Sequence, residues 1–231
     1  MTGDGASDDD PGGRPATDGD PHAEEPLITA GAPAGAAEVA VVLLHGRGAT
    51  AQGVVNLFDP VYRHGVTFLA PAAERSRWYP EAFDAPRAAN EPHLTSAVER
   101  TEDAVEVAAA AGVPAERTVV VGFSQGACVA AEFAARRPRA YGGVFVLAGA
   151  LPGADAADRR VDGSLSGTPV YLGCSDDDPH VPVARVRETA ATFDAAGAEV
   201  TVDVAAGEGH AVTEASFDAL SARLSALLDA D

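Results

Sequence analysis

The chain has 231 residues, 46% of them hydrophobic, enough for one domain with a substantial core and too apolar for a wholly disordered protein. Its formal net charge is -19, and its 16 basic residues are all arginine, so nucleic acid and anionic membranes would be repelled. No apolar run approaches the roughly 18 residues that cross a bilayer, and the N-terminus has neither the basic patch nor the apolar core of a secretory signal. The expectation is a cytoplasmic monomer or homodimer with no nucleic-acid partner and no membrane insertion.

Residues 1–26, "MTGDGASDDDPGGRPATDGDPHAEEP", are rich in Asp, Gly and Pro. They offer too little apolar surface to offset the entropy of ordering, which predicts a mobile acidic tail ahead of a single domain at 27–231. From there apolar strand-like runs alternate with helical patterns. The runs are "AEVAVVLLHG", "VTFLAPAA", "RTVVVGFS", "GGVFVLAGA", "TPVYLGCS" and "EVTVDVAAG". Most are continuously apolar, as a strand covered on both faces requires. A helix is predicted over about 95–111, with Ser96 and Glu99 as a capping box and Gly112 and Pro114 as its stop. Residues 125–137 form an alanine-rich helix ending before Pro138. Pro182 suits the first turn of the next helix, where Val183, Val186, Ala190 and Phe193 share a face and Gly197 closes the end. The last helix aligns Phe217, Leu220, Leu224 and Leu227. This alternation predicts an α/β fold, a central mainly parallel sheet flanked by helices on both faces. Cys128 and Cys174 lie among apolar or small residues, as buried thiols do, and lack zinc-site spacing.

The connection over 71–93, "PAAERSRWYPEAFDAPRAANEPH", is long and has no periodicity. It follows a strand, which places it on the sheet edge where ligands bind. Its aromatics Trp78, Tyr79 and Phe83 are candidates for the wall of a substrate pocket, with core packing as the alternative use.

Gly122-Phe123-Ser124-Gln125-Gly126 fits G-x-S-x-G between an apolar strand and a helix. That context forces a strained turn, lifts the Ser124 hydroxyl clear of the sheet and aims a helix N-terminus at the same point. A serine nucleophile needs a base. Of the six histidines, His22 falls in the tail, His64 precedes a helix-ending Gly65, His93 lies in the long loop, and His45 belongs to the "LHGRG" turn. His180 is beside the acid candidates and out of chain order. His210, on the glycine-flanked loop "GEGHAV" after the last strand, remains. An acid to orient its ring is expected from "CSDDDPHVP", which offers Asp176, Asp177 and Asp178. The backbone N–H groups of Arg47 and Gln125 are assigned to an oxyanion hole: glycines at 46 and 48 let one turn inward, and the other opens the helix. A phosphate-loop use of 45–48 is disfavoured because no lysine follows.

Together "LHGRGA", "WYPEAF", "GFSQGA", "CSDDDPHVP" and "GEGHAV" resemble the phospholipase/carboxylesterase family of α/β-hydrolases, which includes the acyl-protein thioesterases. The likeness runs from about residue 27 to the C-terminus. It implies an α/β-hydrolase fold without a large cap domain, and it picks Asp178 as the acid that joins Ser124 and His210. Arg47 after His-Gly, where thioesterases more usually carry an apolar residue, is closer to the microbial esterase branch. The implied function is a serine hydrolase cleaving small-molecule carboxylic esters, thioesters or lysophospholipids through an acyl-enzyme, with no metal and no cofactor. The alternatives are a dienelactone-hydrolase-like enzyme, a group that typically carries cysteine at the elbow, and a non-catalytic binding protein on the same fold.

The acidic surface has two explanations, general solubility and adaptation to high salt, where repulsion is screened within about 3 Å near molar salt. The second is expected here. Thermal melts should then show a higher unfolding midpoint in molar potassium chloride than in dilute buffer; equal midpoints would leave solubility as the sole explanation.

Overall fold

The computed structural model describes residues 20–155, 159–165 and 167–230. Seven strands form one sheet: β1 (Leu27–Gly31), β2 (Val39–Leu44), β3 (Val66–Pro71), β4 (Thr118–Phe123), β5 (Gly143–Leu147), β6 (Pro169–Ser175) and β7 (Glu199–Ala205). Their spatial order is β1-β3-β2-β4-β5-β6-β7. Every neighbouring pair is parallel except β1 with β3. The six strand-like runs of the sequence all become strands. β1 is the addition: "LITAG" is short and only partly buried, as an edge strand can be, so no continuous apolar run marks it.

Side chains of each strand alternate between two cores. Val42, Leu44, Val120, Val146 and Leu172 face α2 (His93–Ala110), α3 (Gln125–Arg136) and α4 (Val183–Ala195). Val41, Leu43, Val121, Phe145 and Tyr171 face α1 (Ala51–Phe58) and α5 (Glu214–Leu228). All six residues of β2 are buried, which explains its unbroken "VAVVLL". The expected helical stripes hold: Val186, Ala190 and Phe193 are buried on α4, and Leu220, Leu224 and Leu227 on α5. Pro182 is the N-cap of α4 rather than inside its first turn. Gly197, past the end of that helix, takes φ +87. Among the described residues no helix is long and apolar enough to cross a membrane.

Two expectations need correction. α2 starts at His93, so Ser96 lies inside its first turn and does not cap it with Glu99. A carboxylate from outside serves instead: Glu91 accepts the Thr95 N–H at 3.0 Å. The expected tail does not include residues 20–26. Residues 1–19 lie outside the described residues, but 20–26 are packed against the domain. The Ser96 hydroxyl donates to Asp20 and accepts the His22 N–H, at 3.0 Å in the latter case. Arg100 holds the Glu25 carbonyl at 2.7 Å, and the Ala72 N–H reaches that of Pro26 at 2.9 Å. His22 is fully buried. Its Nδ1 accepts the Glu74 N–H at 3.1 Å, so Nε2 carries the proton donated to the Trp78 carbonyl at 2.9 Å. Composition alone misses this, because one buried histidine with both nitrogens satisfied anchors an otherwise polar segment.

Burial holds both His22 and His45 below the ordinary histidine value of 6.5; His93 adds repulsion at His22, while Asp20 and Glu74 oppose it. The unfolded chain therefore binds more protons than the fold as pH drops below that value, and stability declines with it. The thermal midpoint should fall between about pH 7 and about pH 5, and His22→Gln should make that fall shallower. Differential scanning calorimetry across the range checks both slopes.

Candidate active site

β4 runs to Phe123 and α3 begins at Gln125, leaving Ser124 alone at the joint with φ 56 and ψ -121. A non-glycine residue in that conformation costs about 1–3 kcal/mol. The surroundings hold it there. The Ser124 N–H donates to the Leu147 carbonyl at 2.9 Å, and the Ser124 carbonyl accepts from Ala127 and Cys128 at 2.9 and 3.2 Å. The flanking glycines are required by contact. A Cβ on Gly122 would lie 2.2 Å from the Gly126 carbonyl oxygen, and one on Gly126 would lie 2.1 Å from that of Leu44. The first turn of α3 thus presses on the end of β2, and the turn that follows β2 comes beside the serine: a Cβ on Gly46 would be 3.3 Å from that of Ser124.

His210 sits on the loop between β7 and α5, and its ring spans two partners. Nδ1 is 2.8 Å from Asp178 Oδ2, and Nε2 is 2.8 Å from Ser124 Oγ. With Nδ1–H donating to the carboxylate, Nε2 is left to accept from the hydroxyl. The Asp178 side chain is fully buried. Its other oxygen accepts the N–H groups of His180 and Val181 at 2.8 and 3.1 Å, which suits an ionised carboxylate away from water. The neighbouring aspartates do different work. Asp176 accepts from the Gly207 N–H at 2.9 Å, and Asp177 from the Gly209 N–H at 2.7 Å, so both tie down the loop that carries His210. The Ser175 hydroxyl, then the Gly209 N–H, hold the exposed Asp177 carboxyl below the usual aspartate range. Phe123 packs 5.2 Å from the His210 ring, and His180 meets it edge-on at 4.8 Å.

Arg47 lies in the turn after β2 and Gln125 at the first position of α3. Neither backbone N–H has a protein acceptor among the described residues. Their side chains are engaged: the Arg47 guanidinium binds the carbonyls of residues 79–81, and the Gln125 carboxamide binds residues 78 and 79. His45 orders the turn, donating from Nδ1 to the Gly46 carbonyl at 2.9 Å and accepting the Ala73 N–H at 3.3 Å.

The pocket aromatics are redistributed. Trp78 and Tyr79 are 0% and 1% exposed, which leaves no surface for a ligand, so both are core residues rather than pocket walls. Trp78 Nε1 donates to the His45 carbonyl at 2.8 Å. Phe83 is half-buried, packed on the core with the Arg185 guanidinium 5.2 Å from its ring centre. Cys128 and Cys174 are buried, unpaired thiols, and burial raises the pKa of each. Among the described residues no three His, Cys, Asp or Glu side chains are gathered to hold a metal ion. A groove of about 200 Å³ between β1 and α2, lined by Thr29, Thr67 and Val107, does not include the serine. The residues that sequence reasoning missed are Asp176 and Asp177 as loop anchors, and His22 and Asn90 as anchors of the long connection. Asn90 accepts the Glu81 N–H and donates to the Ala82 carbonyl, at 2.9 and 3.0 Å. No pattern marks such side-chain-to-backbone pairs.

A family model described as phospholipase/carboxylesterase matches residues 27–228. The crystal structure of a phospholipase/carboxylesterase from Dyadobacter fermentans is 35% identical, with a TM-score of 0.81, covering 89% of this chain and 97% of its own. The Bacillus cereus carboxylesterase superposes with a TM-score of 0.70 at 18% identity, over 88% of this chain and 95% of its own. Arabidopsis thaliana SOBER1 does so with 0.66 at 18%, over 83% and 99%. The last two likenesses are of fold.

The contact at Gly126 generates a stability prediction. Gly126→Ala should cost about 3 kcal/mol, the upper end of overpacking penalties, because the methyl meets backbone that cannot turn aside. Urea denaturation of the two proteins measures it.

Proposed function

The chain belongs to the phospholipase/carboxylesterase family of α/β-hydrolases and is a hydrolase of that type, and on that premise we propose that it cleaves small-molecule carboxylic esters through an acyl-enzyme on Ser124. The observation that carries this is the His210 ring, 2.8 Å from the Ser124 hydroxyl on one side and 2.8 Å from the Asp178 carboxylate on the other.

In the first half-reaction Nε2 of His210 takes the hydroxyl proton as Ser124 Oγ attacks the carbonyl carbon. The imidazole becomes positive, and the buried Asp178 carboxylate stabilises that charge while fixing which nitrogen faces the serine. Negative charge moves onto the carbonyl oxygen, where the N–H groups of Arg47 and Gln125 and the N-terminus of α3 receive it. The tetrahedral adduct collapses, and the alcohol leaves with the proton from His210. Water, deprotonated by the same nitrogen, then attacks the acyl-serine, and the carboxylic acid departs. Proton and electron pair return to their starting positions, so the cycle requires neither metal nor cofactor. A thioester or a lysophospholipid presents the same carbonyl and would follow the same steps.

Ser124→Ala should abolish turnover of short p-nitrophenyl esters with an unchanged circular dichroism spectrum, and a fluorophosphonate probe should label the parent protein at Ser124 alone. Asp178→Asn should lose about 10⁴-fold in kcat, since the ring is left in the wrong tautomer. Asp176→Asn and Asp177→Asn should fall far less, because they touch the loop and not the ring. Steady-state kinetics on the four variants decides the assignment, and undiminished rates in Ser124→Ala would refute it.

A further inference from the structure

The side chains of Arg47 and Gln125 converge on one stretch of backbone. Gln125 Oε1 accepts the Trp78 N–H at 2.9 Å, and its Nε2 donates to the Tyr79 carbonyl at 2.8 Å. The Arg47 guanidinium donates to the carbonyls of Tyr79, Pro80 and Glu81 at 3.0, 2.9 and 2.8 Å. A single oxygen, that of Tyr79, thus accepts from both side chains. A third tie runs from Trp78 Nε1 to the His45 carbonyl, two residues before Arg47.

The segment that receives these bonds is itself fixed. Trp78 and Tyr79 are buried in the core. The Trp78 carbonyl accepts from His22, and the Glu81 N–H is held by Asn90. The turn it meets lies nearer the surface. Arg47 is exposed and flanked by Gly46 and by Gly48 at φ +79, so the course of the turn depends on hydrogen bonds: the Gly46 carbonyl accepts from His45 Nδ1 at 2.9 Å and from the Ala49 N–H at 3.1 Å, the Gly48 N–H donates to the Ser76 carbonyl at 2.7 Å, and the Arg47 guanidinium adds the ties to residues 79–81. An oxyanion donor acts only if it is already aimed where charge will develop.

We infer that residues 78–81 form a strap that aims both oxyanion donors, so that Arg47 and Gln125 are positioning residues through their side chains in addition to presenting their N–H groups. The inference rests on the acyl-enzyme reading of the site and deepens it. Arg47 is the sharper probe of the two, because its substitution removes three bonds to the strap and leaves its own N–H in place.

Arg47→Ala should lower kcat on a p-nitrophenyl ester by about 10- to 100-fold through misalignment alone. KM should stay within about twofold, as expected for an interaction made only in the transition state. Affinity for a trifluoromethyl ketone, which forms an oxyanion on Ser124, should drop by the same factor as kcat/KM, and Arg47→Lys, which cannot span three carbonyls, should recover only part of the loss. Arg117→Ala is the control: it loses two carbonyl contacts, to Glu38 and Ala230, at the opposite edge of the sheet, and should keep the parent kcat. Thermal midpoints are recorded for every variant, and Arg47→Met, which retains the stem, stands in if the alanine protein does not fold. A folded Arg47→Ala or Arg47→Met protein with parent kcat, or a loss carried wholly by KM, overturns the strap. Failure of the underlying mechanism looks different: Ser124→Ala would stay active, whereas failure of the strap alone leaves Ser124 essential and labelled.

Discussion

Backbone-to-backbone contact at Gly126 governs where everything else in the site can stand. The first turn of α3 is pressed against the carbonyls of Leu44 and His45, and the end of β4 is pressed against Gly126 in turn. There is no room for a side chain at either glycine, so β2, β4 and α3 meet closer than ordinary packing allows. Ser124 is left at φ 56 as a consequence. The strain, about 1–3 kcal/mol, is smaller than what the helix returns. α3 is buried from Gln125 to Ala135, and its Val129 and Phe133 alone contribute about 1.5–3 kcal/mol each by leaving water. The helix cannot slide outward to relax the serine without exposing that face.

A separate constraint divides the labour among three consecutive aspartates. Asp178 turns inward, where its carboxylate is fully covered and takes one ring N–H and two backbone N–H groups. A buried anion is tolerable only with such partners. Asp176 and Asp177 stay at the surface and bind the N–H groups of Gly207 and Gly209. Those glycines, at φ +71 and +62, allow the sharp course of the loop that carries His210. One aspartate orients the imidazole, and two aim the loop beneath it.

Much of this was legible in the sequence, for reasons that differ by element. The six apolar runs could be recognised because parallel strands covered on both faces have to be continuously apolar. Ser124, His210 and the aspartate run stood out because few residue types carry acyl-transfer chemistry and their chain order restricts the choice. The structure brings Ser124, Asp178 and His210 into one hydrogen-bonded line and the turn at Gly46 beside the serine. What sequence did not reveal was set by distant partners. β1 is an edge strand with an unremarkable composition, and its place comes from pairing with β3. His22 looked like part of a solvated tail because its acceptor and donor, at Trp78 and Glu74, lie far along the chain. Trp78 and Tyr79 were singled out as aromatic, but aromaticity does not tell a pocket wall from a core residue; burial does.

The long connection after β3 shows how these unread contacts arise. A segment with almost no regular structure that buries Trp78, Tyr79 and Asn90 must also bury backbone, and buried N–H and C=O groups need partners. Neighbouring strands do not supply them. Side chains do: His22 and Gln125 serve residue 78, Gln125 and Arg47 serve residue 79, Arg47 serves residues 80 and 81, and Asn90 serves residues 81 and 82. Farther along, Arg87 and Arg136 flank the buried Glu132 of α3, and Arg136 also holds Glu91 and Thr95. Two of the side chains recruited at 78–81 belong to Arg47, next to Gly46 in the turn after β2, and Gln125, next to Ser124 in the chain. On the proposed oxyanion reading, the bonds that satisfy this irregular buried loop would also aim the two donors, and a change in the loop would reach the site without any ligand contact of its own.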